Sequence, residues 1–317
     1  MGIPERQAYV EPEDRDTRVG DLILRYGVIL GRRCTRGQKK RFLAAAARQF
    51  ELCGYGPSLD EDSHVVRGAG SKRFVNLYAG DVDHADVLFI TYYDTPGLTL
   101  PDRGSKAFQT GFRPQDVLVS SLLLGVTALA GALLIYRFAL PLVFSAGILS
   151  LGGLLFVALC VPLLAFVTGF REGLPRWNNR VRNSSSLAVL FDLARQVRDE
   201  ASGKKVAFAF VDEGCRSGRG LEMLRRRLGR RRPRRIYVDS LGSDGDPICL
   251  TNLRCPPEWE DRVAVRRLGT EKRKQYGDYL VCAGKEDGTG EIVIDTSSEV
   301  GTQRVIDRSS LLMALAQ

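Results

Sequence analysis

Apolar positions are distributed unevenly along this chain. From Val117 to Phe170, 54 residues carry one formal charge, Arg137. Elsewhere charges recur every few positions, and apolar residues fall into short periodic runs broken by Gly and Pro. The apolar stretch divides at Tyr136–Pro141 into Val117–Tyr136 and Leu142–Val167. At 1.5 Å per residue, each half can cross a hydrocarbon core of about 30 Å. Neither keeps the polar stripe of a helix packed on a soluble core. The pattern predicts a transmembrane helical hairpin within residues 114–170, with helices over about 117–136 and 142–167. Gly125, Gly131, Gly147, Gly152 and Gly153 permit close helix contact, within the hairpin or between copies.

The rest reads as one discontinuous domain, residues 17–113 and 171–317, behind a loose polar arm at 1–16. Phe42, Leu43, Ala46, Phe50 and Cys53 recur at spacings of three and four before Gly54, the pattern of an amphipathic helix with a glycine stop. Ser185–Glu200 repeats that periodicity; Gly220–Leu228, Pro257–Leu268 and Ser309–Leu315 also read as helices. The apolar runs in Asp86–Tyr93 and Val206–Val211 predict buried central strands. Phe74–Ala79, Ile236–Val238 with Ile248–Thr251 beside it, and Glu291–Ile294 complete the expected strands. Val19–Leu30 is apolar at mixed spacing and specifies no element. Strands alternating with helices argue an α/β fold, a mostly parallel sheet with helices on both faces.

Charge sets the expected topology. No apolar run opens the chain, so no signal peptide is expected. Arg113, Arg171, Arg176, Arg180 and Arg182 flank the apolar stretch, and Arg137 alone falls in its expected turn. Basic flanks stay cytoplasmic. A cell-membrane protein with two spans is expected, its soluble domain and both termini in the cytoplasm, and Trp177 suits the interface. Seven cysteines, an odd number without repeated spacing, fit free thiols and offer no paired zinc motif. The net charge is +9, and Arg225, Arg226, Arg227, Arg230, Arg231, Arg232, Arg234 and Arg235 supply eight charges within eleven residues. No aromatic residue interleaves with them, which argues against nucleic acid. The plain reading is a solvated helix end; the functional reading is contact with anionic lipid headgroups.

In open α/β sheets, ligands collect at the carboxyl ends of the strands. Five carboxylates are expected there: Asp94, Asp212, Glu213, Asp239 and Asp295. Such a rim can hold a metal or perform acid–base chemistry, although Asp is also common at strand ends for its turn-forming side chain.

The order of the motifs around those acids resembles the di-zinc aminopeptidase family of zinc exopeptidases, typified by bacterial leucyl aminopeptidases and aminopeptidases Y and S. Phe50-Glu51-Leu52-Cys53-Gly54-Tyr55 matches its helix-ending turn, and Asn76 its strand asparagine. Tyr92-Tyr93-Asp94-Thr95 stands where the family has His-x-Asp. Arg182-Asn183-Ser184-Ser185-Ser186 stands at Asp-Asn-x-Ser-Gly, and Asp212-Glu213 at the Glu-Glu pair of general base and ligand. Val238-Asp239-Ser240-Leu241-Gly242 matches the next ligand, and Asp295-Thr296-Ser297-Ser298-Glu299 the final His-Thr-x-x-Asp. The resemblance runs from about residue 37 to the end and implies a zinc-exopeptidase fold with the apolar hairpin inserted between two ligand motifs.

The departures bear on function. Zinc takes imidazole, thiolate or carboxylate donors. Tyr92 replaces a ligand His, Arg182 the bridging Asp and Asp295 the last His. A phenol is neutral near pH 7 and a guanidinium repels a metal. His64 and His84, the only histidines, fall at no motif and read as surface residues. The expectation is a metal-free network in which Arg182 neutralises Asp212, Glu213 or Asp239 and Tyr92 donates to the same cluster. The resulting function is a membrane-anchored, catalytically inactive domain, without a cofactor, that binds peptide or protein. Two alternatives stand beside it: a working metal-dependent aminopeptidase or hydrolase with a reduced site, in which Asp94, Asp212, Glu213, Asp239 and Asp295 hold one metal and Asp212 or Glu213 activates water, and a membrane scaffold with an anionic-lipid patch.

Overall fold

The computed structural model describes residues 14–66, 70–95, 105–108, 114–147, 149–169, 180–200 and 203–317. The expected arm up to residue 13, most of both linkers around the apolar stretch, and Arg113, Arg171, Arg176 and Trp177 lie outside the described residues. The chain forms two compact units. One comprises Met1–Thr95, Gly104–Gly111 and Trp177–Gln317; the other comprises Pro96–Arg103 and Phe112–Arg176.

The first unit is built on one sheet. Its strands are β1 (Pro57–Val66), β2 (Gly70–Ala79), β3 (Val87–Tyr92), β4 (Ser105–Lys106), β5 (Val206–Val211), β6 (Arg234–Asp239), β7 (Asp246–Thr251), β8 (Ala264–Arg267), β9 (Tyr279–Glu286) and β10 (Ile292–Ile294). The order is β1-β2-β5-β3-β6-β9-β10-β4, with β7 paired to β9 and β8 to β7. β5, β3, β6 and β9 run parallel at the centre, and antiparallel strands flank them. All of β3 and β5 is buried, as strands covered on both faces must be. Alternate residues feed two cores. Phe89, Phe208, Phe210, Ile236 and Val238 face α1 (Arg15–Ile23), α2 (Arg36–Leu52), α6 (Ser185–Asp199) and α9 (Thr302–Ala316). Leu88, Ile90, Ala207, Ala209 and Tyr237 face α7 (Arg219–Leu228) and α8 (Thr270–Tyr276). The α/β fold with helices on both faces is therefore present.

Local chemistry explains the elements that position the site. α2 opens on a capping box, Thr35 with Gln38, and ends before Gly54 at φ +77°, where a left-handed turn favours glycine. Phe50 on its last turns packs on Phe191, Phe208 and Phe210 at 5.0–5.7 Å between ring centroids.

Several expectations need correction. α1 begins at Arg15, inside the expected arm, capped by Asp14. Arg15 is drawn into the fold by buried Asp192, which it meets at 2.8 Å. Val19–Leu30 is the rest of α1 followed by a π-helical turn over Leu24–Ile29, which accounts for its mixed spacing. Pro257–Leu268 is not a helix: Pro257–Trp259 forms one 3-10 turn, and β8 follows as an exposed edge strand. The Trp259 indole donates to Leu311 O at 2.8 Å and pins that turn against α9. β7 lies against β9 and β8, not β6.

The second unit holds α3 (Pro114–Leu134), α4 (Leu140–Ala146) and α5 (Leu151–Gly169). The expected break at Tyr136–Pro141 does not occur. A π turn, Ile135–Ala139, absorbs the missing N–H of Pro141 and joins α3 to α4. The chain reverses instead at Gly147, whose φ of +83° ends α4. Gly131 backs onto Leu163 and Gly152 onto Leu142; an added Cβ would lie 2.7 Å and 2.6 Å from those side chains. Contact within the pair therefore accounts for both glycines. Among the described residues, one helix, Ser121–Ala146, is long and apolar enough to cross a membrane, and the apolar part of α5, Leu151–Val167, is shorter.

Candidate functional site

The parallel strands deliver their carboxylates to one rim. Asp94 follows β3, Asp212 and Glu213 follow β5, and Asp239 ends β6; each is at most 2% exposed. Asp295 does not join them. It is exposed, and its carboxylate accepts from the amide and hydroxyl of Ser297 in its own turn. The turn-forming role of Asp accounts for this position. Glu213 and Ser240, the residues after Asp212 and Asp239, adopt φ of +54° and +55°. Non-glycine residues seldom take that conformation, and here it turns the chain sharply at the ends of β5 and β6, the two strands that flank β3.

Cations that the sequence did not single out neutralise the rim. Lys39, near the start of α2, places Nζ 2.6 Å from Asp212 Oδ1 and 3.0 Å from Glu213 Oε1. Lys72 on β2 reaches the same Glu213 oxygen at 3.2 Å. Burial disfavours the Lys39 ammonium, but Asp212, Asp94 and Glu213 outweigh it and hold its pKa above the ordinary lysine value. Burial likewise opposes the Glu213 carboxylate, yet Lys39, Lys72 and Arg216 keep its pKa below the usual range. Asp212 also accepts from Val75 N and Glu213 N, and its own amide donates to Asn76 Oδ1. Asn76 donates in turn to Tyr78 Oη and Gly220 O. The strand asparagine thus braces the first acid.

Among the described residues, Arg182 makes no direct ion pair with Asp212, Glu213 or Asp239; it reaches Asp239 through Tyr92, and against burial the Asp239 charge helps hold its pKa up. Its Nε donates to Tyr92 Oη at 2.9 Å, and Tyr92 donates to Asp239 Oδ1 at 3.0 Å. Asp239 also accepts from Phe108 N and the Ser240 hydroxyl. Burial raises the Tyr92 pKa well above its ordinary value, so the hydroxyl keeps its proton.

Asp94 makes a third arm. It accepts from Gly214 N at 2.7 Å and from the Cys215 thiol at 2.6 Å. Burial pushes its pKa up to about 6 against the pull of Lys39. Burial also pushes the Cys215 thiol well up, so it is no thiolate nucleophile. Arg33, fully buried, ties the rim together: its guanidinium donates to the carbonyls of Tyr26, Leu30 and Tyr93 and to Asn183 Oδ1 and Ser184 Oγ.

The donors do not fit a zinc pair. An ammonium stands between the two β5 acids, a protonated phenol and a guanidinium occupy two expected ligand positions, and Asp295 lies apart. Among the described residues, no three His, Cys, Asp or Glu side chains are grouped to hold a metal. His84 is exposed beside Asp81, and the side chain of His64 lies outside the described residues. In the arginine run, Arg226 pairs with Asp62, and Arg227 and Arg231 pair with Asp83; Arg225, Arg230, Arg232 and Arg234 are exposed, and Arg235 is half-buried.

The α/β fold is zinc-exopeptidase-like. Known structures give that class its particulars. The chain is similar to a Zn-dependent exopeptidase from Parabacteroides distasonis, at 11% identity and a TM-score of 0.52 over 96% of this chain and 99% of that one. It is equally similar to the glutaminyl cyclase of Bacteroides thetaiotaomicron, at 9% identity and 0.52 over 96% and 97%. A leucine aminopeptidase precursor from the same organism matches at 9% and 0.51 over 98% and 100%. No family model and no curated protein sequence matches. Identities this low establish the fold alone, and they do not single out the aminopeptidases expected from the motifs, since glutaminyl cyclases match as well.

Proposed function

We propose that the chain is a membrane-anchored zinc-exopeptidase-like domain that acts by binding peptide or protein rather than by catalysis. The observation that carries this reading is Lys39 seated between Asp212 and Glu213. A general base must be free to take a proton from water and a ligand free to meet a metal; here the same ammonium occupies both carboxylates. Tyr92 and Arg182 close the Asp239 side with protonated donors. The reduced-site hydrolase would need Asp212 or Glu213 as base, and Lys39 Nζ already holds Asp212 Oδ1 at 2.6 Å and Glu213 Oε1 at 3.0 Å.

Membrane anchoring is supported by the apolar surface of the second unit. Leu122, Val126, Leu129, Leu133, Phe144, Leu154 and Leu164 are each more than half exposed. Covering such side chains with lipid removes about 25 cal/mol for every Å² taken from water. The soluble unit and both termini belong on the cytoplasmic side by the arginine asymmetry of the flanks.

The test has two arms on the full chain. Purified protein is assayed for aminopeptidase and glutaminyl cyclase turnover, with and without added zinc, beside peptide binding. Turnover that Lys39→Met or Asp212→Asn changes would overturn the inactive reading. Carbonate extraction of membranes tests the anchor: extraction of the chain into the soluble fraction would overturn it.

A further inference from the structure

Leu24, Val28 and Ile29 are 52%, 45% and 70% exposed, although they belong to the soluble unit. All three lie in the π-helical turn Leu24–Ile29. Hydrogen bonds in such a turn close five residues apart, so positions i, i+4 and i+5 share a face. The three side chains form one ridge. Its support is rigid: Tyr26, between them in sequence, is buried, stacks on Phe191 at 4.6 Å and donates its hydroxyl to Ala45 O. From behind, Arg33 holds the carbonyls of Tyr26 and Leu30.

The surroundings are basic. Arg25 and Arg32 are half-buried, and Arg36 and Arg180 are exposed. A Cβ added to Gly27 would lie 3.7 Å from Arg180 Cγ, so Arg180 lies along this turn. The ridge also stands at the carboxyl rim. Arg33 N donates to Thr95 Oγ1, and Asn183 Nδ2 donates to Asp94 O. Phe108 and Arg180 are the described residues of this unit that flank the segment carrying the apolar helices, and Phe108 N donates to Asp239 Oδ2 on the same rim.

We propose that Leu24, Val28 and Ile29 dip into the headgroup–acyl boundary of the bilayer that holds the apolar helices, while Arg25, Arg32, Arg36 and Arg180 meet anionic headgroups. An apolar ridge bordered by arginines has the composition of an interfacial membrane contact. This inference rests on the membrane-anchor reading. It also chooses between two surfaces. The arginine-rich segment ends at Arg234 and Arg235, the amino end of β6, opposite the rim. Six strand residues separate those ends by roughly 17 Å, so one flat bilayer meets the ridge or the arginine run, not both.

The test uses the full chain in phosphatidylcholine–phosphatidylserine vesicles containing brominated lipid. In a Trp177→Phe background, single tryptophans are introduced as Ile29→Trp, Leu129→Trp and Arg230→Trp; buried Trp259 gives a common baseline. Ile29→Trp and Leu129→Trp emission should be blue-shifted and quenched several-fold more than Arg230→Trp, and omitting phosphatidylserine should reduce quenching only for Ile29→Trp. Quenching of Leu129→Trp without Ile29→Trp overturns the docking and leaves the anchor standing. Quenching of Arg230→Trp in place of Ile29→Trp also overturns it, with the arginine run as the lipid surface. Absence of quenching at both apolar probes overturns docking and anchor together. Quenching of Ile29→Trp alone overturns the anchor and the inference that rests on it, leaving only peripheral adsorption of the ridge.

Discussion

Lys39→Met isolates the contact on which the account depends. Methionine keeps most of the aliphatic stem and removes only the charge. Asp212 and Glu213, with side chains 2% and 3% exposed, then lose the ammonium at 2.6 and 3.0 Å. Removing one partner of a buried ion pair costs about 3–5 kcal/mol, because the remaining charge stays desolvated. Lys72 still reaches Glu213 at 3.2 Å, and Val75 N and Glu213 N still donate to Asp212, so the lower end, about 3 kcal/mol, is expected. That is a large share of the roughly 5–15 kcal/mol by which a domain is stable. Urea unfolding of the full chain in detergent, read from the fluorescence of buried Trp259, measures it. The loss should shrink as the pH falls, because Glu213, whose carboxylate Lys39 helps hold ionised, can then protonate. Excess calcium or manganese should restore part of it by binding the freed oxygens. A loss below about 1 kcal/mol, the value of an exposed pair, would refute the reasoning.

Other substitutions probe the remaining arms. Tyr92→Phe strips half-buried Arg182 of its acceptor and buried Asp239 of a donor; a loss of about 1–3 kcal/mol in unfolding free energy is expected, and no change would mean the bridge carries nothing. Gly214→Ala would set a Cβ 2.1 Å from Tyr92 Cβ, and the overpacked rim should lose at least about 3 kcal/mol or fail to fold; a silent variant would contradict the close approach. Asp94 has a folded pKa of about 6 against 3.8 unfolded. The folded state therefore holds the proton between those values, and this group makes stability fall by about 3 kcal/mol as pH rises from about 4 to 6. The pH-stability curve of Asp94→Asn minus that of the wild type should rise across that window, and a flat difference would reject the assignment. Tyr92→His combined with Arg182→Asp places two zinc-type donors beside Asp239, and the double variant should take up zinc; no uptake would show that these positions do not correspond to the family's ligands.

Much of this rim was legible in the chain because central strands advertise themselves. Val87–Ile90 and Val206–Val211 are unbroken apolar runs, and Asp94, four residues after the first, and Asp212, directly after the second, mark the rim. The helix stop at Gly54 was equally readable. Lys39 was not. It sits in Lys39-Lys40-Arg41 on an amphipathic helix, the ordinary appearance of a solvated face, and its partners are more than 170 residues away. Arg33 beside Arg32 gives the same impression, yet it is fully buried. β1 was hidden because Asp60-Glu61-Asp62 looks like loop, although it pairs along its whole length with β2. Pro141 suggested a break that a π turn absorbs. In each case the deciding partner is distant in sequence or the backbone accommodates what local propensity forbids.

Metal content tests the central claim most directly. The full chain, purified without chelator, exposed to zinc and then dialysed, is analysed by inductively coupled plasma mass spectrometry. A rim closed by Lys39, Tyr92 and Arg182 predicts zinc far below one equivalent per chain, unchanged by Asp239→Asn. Zinc retained near stoichiometry and lost with Asp239→Asn or Glu213→Gln would contradict it.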